Sequence, residues 1–212
     1  MILNRGNMIF SKMKSVVAAI AAFSLVALLG SCAERNPTDT NPDARLTGNS
    51  KVLIAYFTWS GHLKTISHWI ADETGADYIR ILAKDPYPTD YGETADRAKV
   101  EKEKGVRPAI NVDFSAHDFS QYETIFVGFP IWWYDLPMPM WTFLENMKLD
   151  GKTIIPFFSH EGTSDGSAAV PTVVKLAKGA NVKASDALSI RGSKTANSEE
   201  EVRAWVKKLG VK

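Results

Sequence analysis

The chain has 212 residues, of which 45% are hydrophobic and 23% charged, a profile that excludes a disordered tail, a collagen-like rod and a disulfide-rich miniprotein. Its 25 basic and 24 acidic side chains nearly cancel, which argues against a nucleic-acid partner. The single cysteine, Cys32, excludes an intramolecular disulfide and a zinc site with four cysteine ligands.

Residues 1–31 are predicted to form an export signal. Two lysines, Lys12 and Lys14, precede an apolar run over 16–29, which is shorter than the roughly 20 residues of a membrane span. The run ends in Gly30-Ser31-Cys32 and so resembles a bacterial lipoprotein signal, in which the peptidase cuts before the cysteine and lipid is attached to it. The resemblance implies a lipidated Cys32 and a membrane-anchored protein of the cell envelope, periplasmic or surface-facing. An ordinary signal peptide with an unrelated cysteine is the alternative.

The segment 32–50 is rich in Asn, Pro, Thr, Asp and Gly and has almost no large apolar side chain. Such a composition cannot bury a core, so we predict a flexible tether over 32–50. The remaining residues, 51–212, are enough for one folded domain.

Strands and helices alternate through this predicted domain. Continuous apolar runs predict five buried strands, at 52–57, 78–82, 124–128, 153–158 and 187–190. Helices are predicted after Gly61, over 93–104, 138–147 and 168–178, and from a capping box formed by Ser198 and Glu201. The alternation predicts an α/β fold with a parallel sheet covered on both faces. Ligands of such sheets bind at the carboxyl ends of the strands.

The loop after the first predicted strand reads Thr58-Trp59-Ser60-Gly61-His62-Leu63. Two hydroxyls, a glycine and the start of a helix together favour an anion site, because helix N-terminal amides attract negative charge. An ordinary capped turn explains the same residues equally well.

The loops after the third and fourth strands carry aromatic and polar residues. The first continues Gly128-Phe129-Pro130-Ile131-Trp132-Trp133-Tyr134, and rings of this kind stack on flat conjugated ligands or fill cores. Three large rings in a row favour a role in stacking on a ligand over a role in core packing. The second loop, Ser159-His160-Glu161-Gly162, can donate hydrogen bonds to a polar ring edge, and His160 is a candidate general acid.

Together the three loops resemble those of the flavodoxin-like family, as does the middle segment with Tyr91, Glu101 and Arg107-Pro108. The resemblance implies a three-layer sandwich whose five-stranded parallel sheet has the order 2-1-3-4-5, with FMN bound non-covalently. By matching positions, the phosphate would be held by Thr58, Ser60, Gly61, His62 and Leu63. The isoalloxazine ring would be flanked by Pro130, Ile131, Trp132 and Trp133 and bordered by Ser159, His160, Glu161 and Gly162.

Two residues depart from the family pattern. Leu63 replaces a hydroxyl residue, which removes one hydrogen bond to the phosphate. Trp133 stands where electron-carrier flavodoxins often have glycine, and a bulky residue does not readily adopt positive φ. We therefore expect weak stabilisation of one-electron-reduced flavin and an electron-transfer protein with reductase character, linked to NAD(P)H or a quinone. Its partner is expected to be a redox protein or a small acceptor such as a quinone.

Three other functions compete with this interpretation. The sequence Gly162-Thr163-Ser164-Asp165-Gly166 matches the nucleophile elbow of serine hydrolases, yet every histidine precedes Ser164 in the chain. Gly151-Lys152-Thr153 resembles the end of a phosphate-binding loop but precedes a strand, which favours a simple turn. A binding module with a decayed flavin site is the third alternative. No metal-ligand spacing is present.

Overall fold

The computed structural model describes residues 43–162, 164–166 and 168–211. The predicted export signal, Cys32 and residues 32–42 of the predicted tether lie outside this part of the chain. None of the described helices has the length and apolar character that crossing a membrane requires.

Seven strands form one sheet, and β2, β4 and β5 lie at its centre. The strands are β1 Ala44–Arg45, β2 Val52–Tyr56, β3 Asp77–Arg80, β4 Thr124–Pro130, β5 Thr153–His160, β6 Asn181–Val182 and β7 Leu188–Arg191. In space the order is β1-β3-β2-β4-β5, and both β6 and β7 pair with β5, β6 at its start and β7 at its end.

The five predicted strands correspond to β2, β3, β4, β5 and β7. They are mutually parallel and lie in the predicted order, so the predicted fold class is confirmed. The sheet is nevertheless mixed, because β1 runs antiparallel to β3. Neither β1 nor β6 was predicted, since a two-residue strand leaves no periodic pattern in the sequence.

The described residues form five α-helices: α1 His62–Thr74, α2 Tyr91–Lys104, α3 Met138–Asn146, α4 Ala169–Leu176 and α5 Glu199–Leu209. Apolar side chains of α1 and α5 pack on one face, and those of α3 and α4 pack on the other. The predicted capping box is wrong. Ser198 Oγ donates to the Lys194 carbonyl at 3.0 Å instead, because the preceding 3₁₀ turn brings that acceptor within reach.

Residues 43–50 fold against the sheet, although the sequence predicts a flexible tether there. The Arg80 amide donates to the Asp43 carbonyl at 3.1 Å, next to the β1–β3 pairing. The buried Asp43 carboxylate accepts a hydrogen bond from the Tyr56 hydroxyl at 2.7 Å and lies 3.2 Å from both Lys64 Nζ and His68 Nε2. Composition misleads here because polar contacts hold this segment together with only two apolar side chains, Ala44 and Leu46, which pack against the core.

The Asp43 carboxylate has a lowered pKa. Burial by itself raises this pKa, but the hydrogen bonds from Tyr56, Lys64 and His68 and the charge of Lys64 together outweigh burial. A carboxylate whose folded-state pKa is lowered stabilises the fold above its unfolded pKa. That stabilisation is lost as the pH falls through the folded-state value.

Replacing Asp43 with asparagine is expected to lower the free energy of unfolding at neutral pH by about 1–3 kcal/mol, because charge-assisted hydrogen bonds are lost from a buried site. The difference from wild type should shrink in acid. Urea unfolding at neutral and acidic pH measures both effects, with Asp96→Asn on the exposed surface of α2 as the control. A deficit that is undiminished in acid would contradict the role assigned to the charge.

Candidate functional site

A cleft of about 420 Å³ opens at the carboxyl edge of the sheet. The ends of β4 and β5 and the start of α1 form its floor, and the first turns of α2 form one wall. It brings together nine of the thirteen predicted cofactor-binding residues: Ser60, His62, Pro130, Ile131, Trp132, Trp133, Ser159, His160 and Glu161. Six further lining residues were not assigned to the site from the sequence: Trp59, Tyr91, Thr94, Ala95, Tyr134 and Ser164.

The other four predicted residues shape the loops instead of lining the cleft. Thr58 is buried, and its Oγ1 accepts a hydrogen bond from the Gly61 amide at 3.0 Å. Gly61 has a φ of 93°, a conformation that suits glycine at the turn into α1. Leu63 is buried in the apolar core beneath α1. The Gly162 amide donates to His160 Nδ1 at 3.0 Å.

Backbone amides are available at the start of α1. The first hydrogen bond into this helix runs from the Thr65 amide to the Gly61 carbonyl at 3.2 Å. Within the described part of the chain, the amides of His62, Leu63 and Lys64 have no acceptor. Free amides at a helix N-terminus favour an anionic ligand group. Leu63 therefore contributes its side chain to the core and can offer only its amide to a ligand.

The indole ring of Trp132 is held by two neighbouring rings. Phe57 and Tyr87 meet it edge to face, with centroid distances of 5.3 and 5.1 Å. The Tyr87 hydroxyl donates to the Glu101 carboxylate, and burial together with this carboxylate raises the pKa of Tyr87. Arg97 in turn pairs with Glu101 at 2.8 Å. These contacts fix the position of the Trp132 ring, which lines the cleft.

The expectation that Trp133 avoids positive φ is wrong. Trp133 has a φ of 50° and Tyr134 a φ of 66°. They are the central residues of a tight reversal in which Trp132 and Asp135 exchange backbone hydrogen bonds of 2.8 and 3.0 Å. A reversal of this kind needs positive φ at both central positions.

Side-chain contacts hold this reversal in place. Trp133 Nε1 donates to the Ala95 carbonyl of α2 at 2.9 Å, and Lys99 Nζ lies 5.4 Å from the centre of the Trp133 ring. Lys102 Nζ donates to the Trp133 carbonyl. Tertiary contacts therefore override the intrinsic preference of an aromatic residue. The sequence argument that favoured two-electron over one-electron chemistry loses its basis.

The turn after β7 also reaches the cleft and was missed by sequence analysis. A Cβ atom on Gly192 would lie 2.3 Å from Glu161 Oε1 and 2.9 Å from His62 Cδ2. Arg191 Nε lies 3.9 Å from Glu161 Oε2. Gly192 thus permits the loop after β2, which contains His62, and the loop after β5, which contains Glu161, to come close to the turn after β7. Its position directly after the fifth predicted strand was the available signal, since loops at that edge converge.

The competing motifs gain no support. The Ser164 hydroxyl makes no hydrogen bond to a histidine within the described residues. Lys152 Nζ is turned inward and donates to the Ser120 and Tyr122 carbonyls, so its segment is a structural turn before β5, as predicted. The described residues hold no cluster of metal-ligating side chains.

Replacing Tyr134 with glycine is expected to raise the free energy of unfolding by about 0.5–1 kcal/mol. Left-handed backbone costs a residue with a side chain about 1–2 kcal/mol, and the freer unfolded chain of glycine cancels part of the gain. Trp133→Gly should instead destabilise, because the bond to Ala95 is lost. Thermal and urea unfolding of the two variants measure both effects. A Tyr134→Gly variant with an unchanged free energy of unfolding would show that the turn stores no strain.

Two of three comparisons with known proteins find similar proteins, a family model and a set of solved structures. The family model described as Flavodoxin (Flavodoxin_4) matches residues 51–209. A search of curated proteins finds no match. A candidate flavoprotein from Bacteroides eggerthii has 29% sequence identity and a TM-score of 0.63 over 77% of this chain and all of that one.

Two further solved structures are similar to this chain. A flavoprotein from Lactobacillus acidophilus, solved in complex with FMN, has 26% identity and a TM-score of 0.57 over 69% of this chain and 96% of that one. A candidate flavoprotein from Bacteroides uniformis gives 29% identity and a TM-score of 0.63. The fold, the convergence of the three loops and the family match agree, and the chain belongs to the flavodoxin family.

Proposed function

We propose that this protein binds FMN in the cleft and serves in electron transfer, as a carrier or as a reductase linked to NAD(P)H or a quinone. The observation that carries the proposal is the convergence of free helix amides and a supported indole ring in one cleft. These two features match the two ends of FMN, an anionic phosphate and a flat conjugated ring. The FMN complex of the Lactobacillus acidophilus relative supports the same assignment.

The phosphate end fits the start of α1. The amides of His62, Leu63 and Lys64 are free to donate, Ser60 adds a hydroxyl at the cleft wall, and the helix N-terminus favours negative charge. The missing hydroxyl at Leu63 removes one side-chain donor and leaves the backbone donors intact. A cleft of about 420 Å³ also lies within the usual range for ligand pockets, about 300–1,000 Å³.

The ring end fits the loops after β4 and β5. The Ile131 amide donates to the Ser159 carbonyl at 2.8 Å, which ties these two loops together beside Trp132. The Gly162 amide occupies His160 Nδ1, so the neutral imidazole carries its proton on Nε2. His160 can thus donate a hydrogen bond from Nε2 to an acceptor in the cleft.

Bound FMN would supply the redox chemistry, in one- or two-electron steps. The chain's own residues contribute binding, orientation and a surface that limits access of water. The positive φ of Trp133 and Tyr134 shows that the turn accepts backbone conformations usually given to glycine, so a one-electron carrier fits the site as well as a reductase does.

Flavin titration tests the proposal. Purified protein should bind FMN and quench its fluorescence, and Ser60→Ala should raise the dissociation constant about 10- to 150-fold, the worth of one hydrogen bond to a charged group. Ser185→Ala, on an exposed turn away from the cleft, is the matched control. Failure to bind FMN would favour the binding module. Anaerobic addition of NADH or NADPH to the loaded protein then separates a reductase from a carrier.

The proposal extends to the cell envelope through the lipid anchor at Cys32, with the membrane contacted through that anchor. Cells expressing the full chain and fed radioactive fatty acid should yield labelled protein in the membrane fraction. Cys32→Ser should abolish the label, and this sole cysteine is the only candidate thiol. Label that persists in Cys32→Ser, or is absent from both chains, would contradict the anchor.

A further inference from the structure

Asp43, the first described residue, lies at the same edge of the sheet as the cleft. β1 runs antiparallel to β3, so Asp43 lies beside Arg80 at the carboxyl end of that parallel strand. Arg80 Nη2 donates to the carbonyl of Thr58 at 3.0 Å, in the loop that leads into the cleft. Lys64, in the first turn of α1, pairs with Asp43. The attachment point of the upstream segment is therefore next to the cleft, and several polar contacts fix it there.

The upstream segment is short. Asp43 follows Cys32 by eleven residues, which even fully extended span at most about 40 Å. A compact domain of this size has a diameter of about 40 Å, so the segment would need its full length to pass from the cleft edge to the opposite edge. A membrane held at Cys32 therefore meets the cleft edge first.

The cleft edge also carries the exposed aromatic side chains. Four large rings of the described residues are exposed: Trp59, Tyr91, Trp133 and Tyr134, at 36%, 76%, 41% and 61%. All four line the cleft, and we call them the aromatic rim. Tryptophan and tyrosine are the residues that concentrate at the membrane–water interface. The indole N–H groups of Trp59 and Trp133 already donate to the Pro88 and Ala95 carbonyls at 2.9 Å, so these rings offer apolar surface with no unpaired donor.

We infer that the cleft edge faces the bilayer and that the aromatic rim enters its headgroup region. This inference rests on the lipid anchor of the proposed function and adds an orientation to it. The aromatic rim binds the membrane surface itself, and the cleft then opens toward redox molecules dissolved in the lipid. Because the segment that joins the lipid anchor to the domain is attached beside the cleft, it keeps the aromatic rim close to the membrane interface. Weak contacts by a few rings are then enough to hold the cleft edge there.

Spin labelling tests the orientation. Lipid attached to Cys32 blocks its thiol, so one added cysteine in the full chain carries a nitroxide. Glu93→Cys places the label at the cleft edge without removing a ring of the rim, and Lys51→Cys places it before β2, at the opposite edge. The lipidated protein is purified from membranes and placed in vesicles of phosphatidylethanolamine and phosphatidylglycerol. The measured quantity is the ratio of nitroxide accessibility to oxygen over accessibility to a water-soluble nickel complex.

We expect this ratio to be severalfold higher at position 93 than at position 51. Replacing Trp59 and Tyr134 with serine should reduce the ratio at 93 toward that at 51, because the rim no longer holds the edge at the interface. Equal ratios at the two edges of lipidated protein, or a ratio at 93 unchanged by the serine variants, would overturn the inference alone. Absence of fatty acid on Cys32 would overturn the anchor, and this inference with it.

Discussion

The close contact between Gly128 and Phe157 sets the geometry on which the site depends. The two residues are register partners in the centre of the sheet, and Tyr56 is the partner of Gly128 on its other side. A Cβ on Gly128 would lie 2.3 Å from the Phe157 ring, so only glycine lets that ring lie across β4. This row lies two or three residues before the first cleft-lining residue of each strand or its loop, Trp59, Pro130 and Ser159, and it fixes where β2, β4 and β5 end relative to one another.

The cleft then follows from the parallel arrangement of these strands. Parallel strands bring their carboxyl ends to one edge, so loops separated by many residues meet there. Each loop contributes a different capability: amides and a hydroxyl at the start of α1, rings after β4, and polar donors after β5. None of these would bind a cofactor alone. Their combination explains why family membership is visible in the sequence while each motif by itself is ambiguous.

Contacts with helix α2 maintain features of the cleft that local backbone preference disfavours. The reversal at Trp133 and Tyr134 stores backbone strain, which a hydrogen bond to α2 and the neighbouring lysines offset. Trp132 keeps its position through Tyr87, whose hydroxyl is in turn held by Glu101. Helix α2 thus links the mostly polar middle of the chain to the aromatic wall of the site. The polar cluster around Asp43 plays a similar part at the outer edge, where it fixes the upstream segment beside the first loop.

The sequence alone determined the fold class, the positions of the five central strands and the three loops that form the cleft, because buried parallel strands appear as continuous apolar runs. The order of those strands followed from the resemblance of the loops to the flavodoxin-like family. It did not determine the conformation of Trp133 and Tyr134, the folding of residues 43–50, or the approach of Gly192 to His62 and Glu161. These features depend on contacts between residues far apart in the chain. Local preference disfavours positive φ in an aromatic residue and a packed strand in a polar segment, and only tertiary contacts supply the free energy that reverses these preferences.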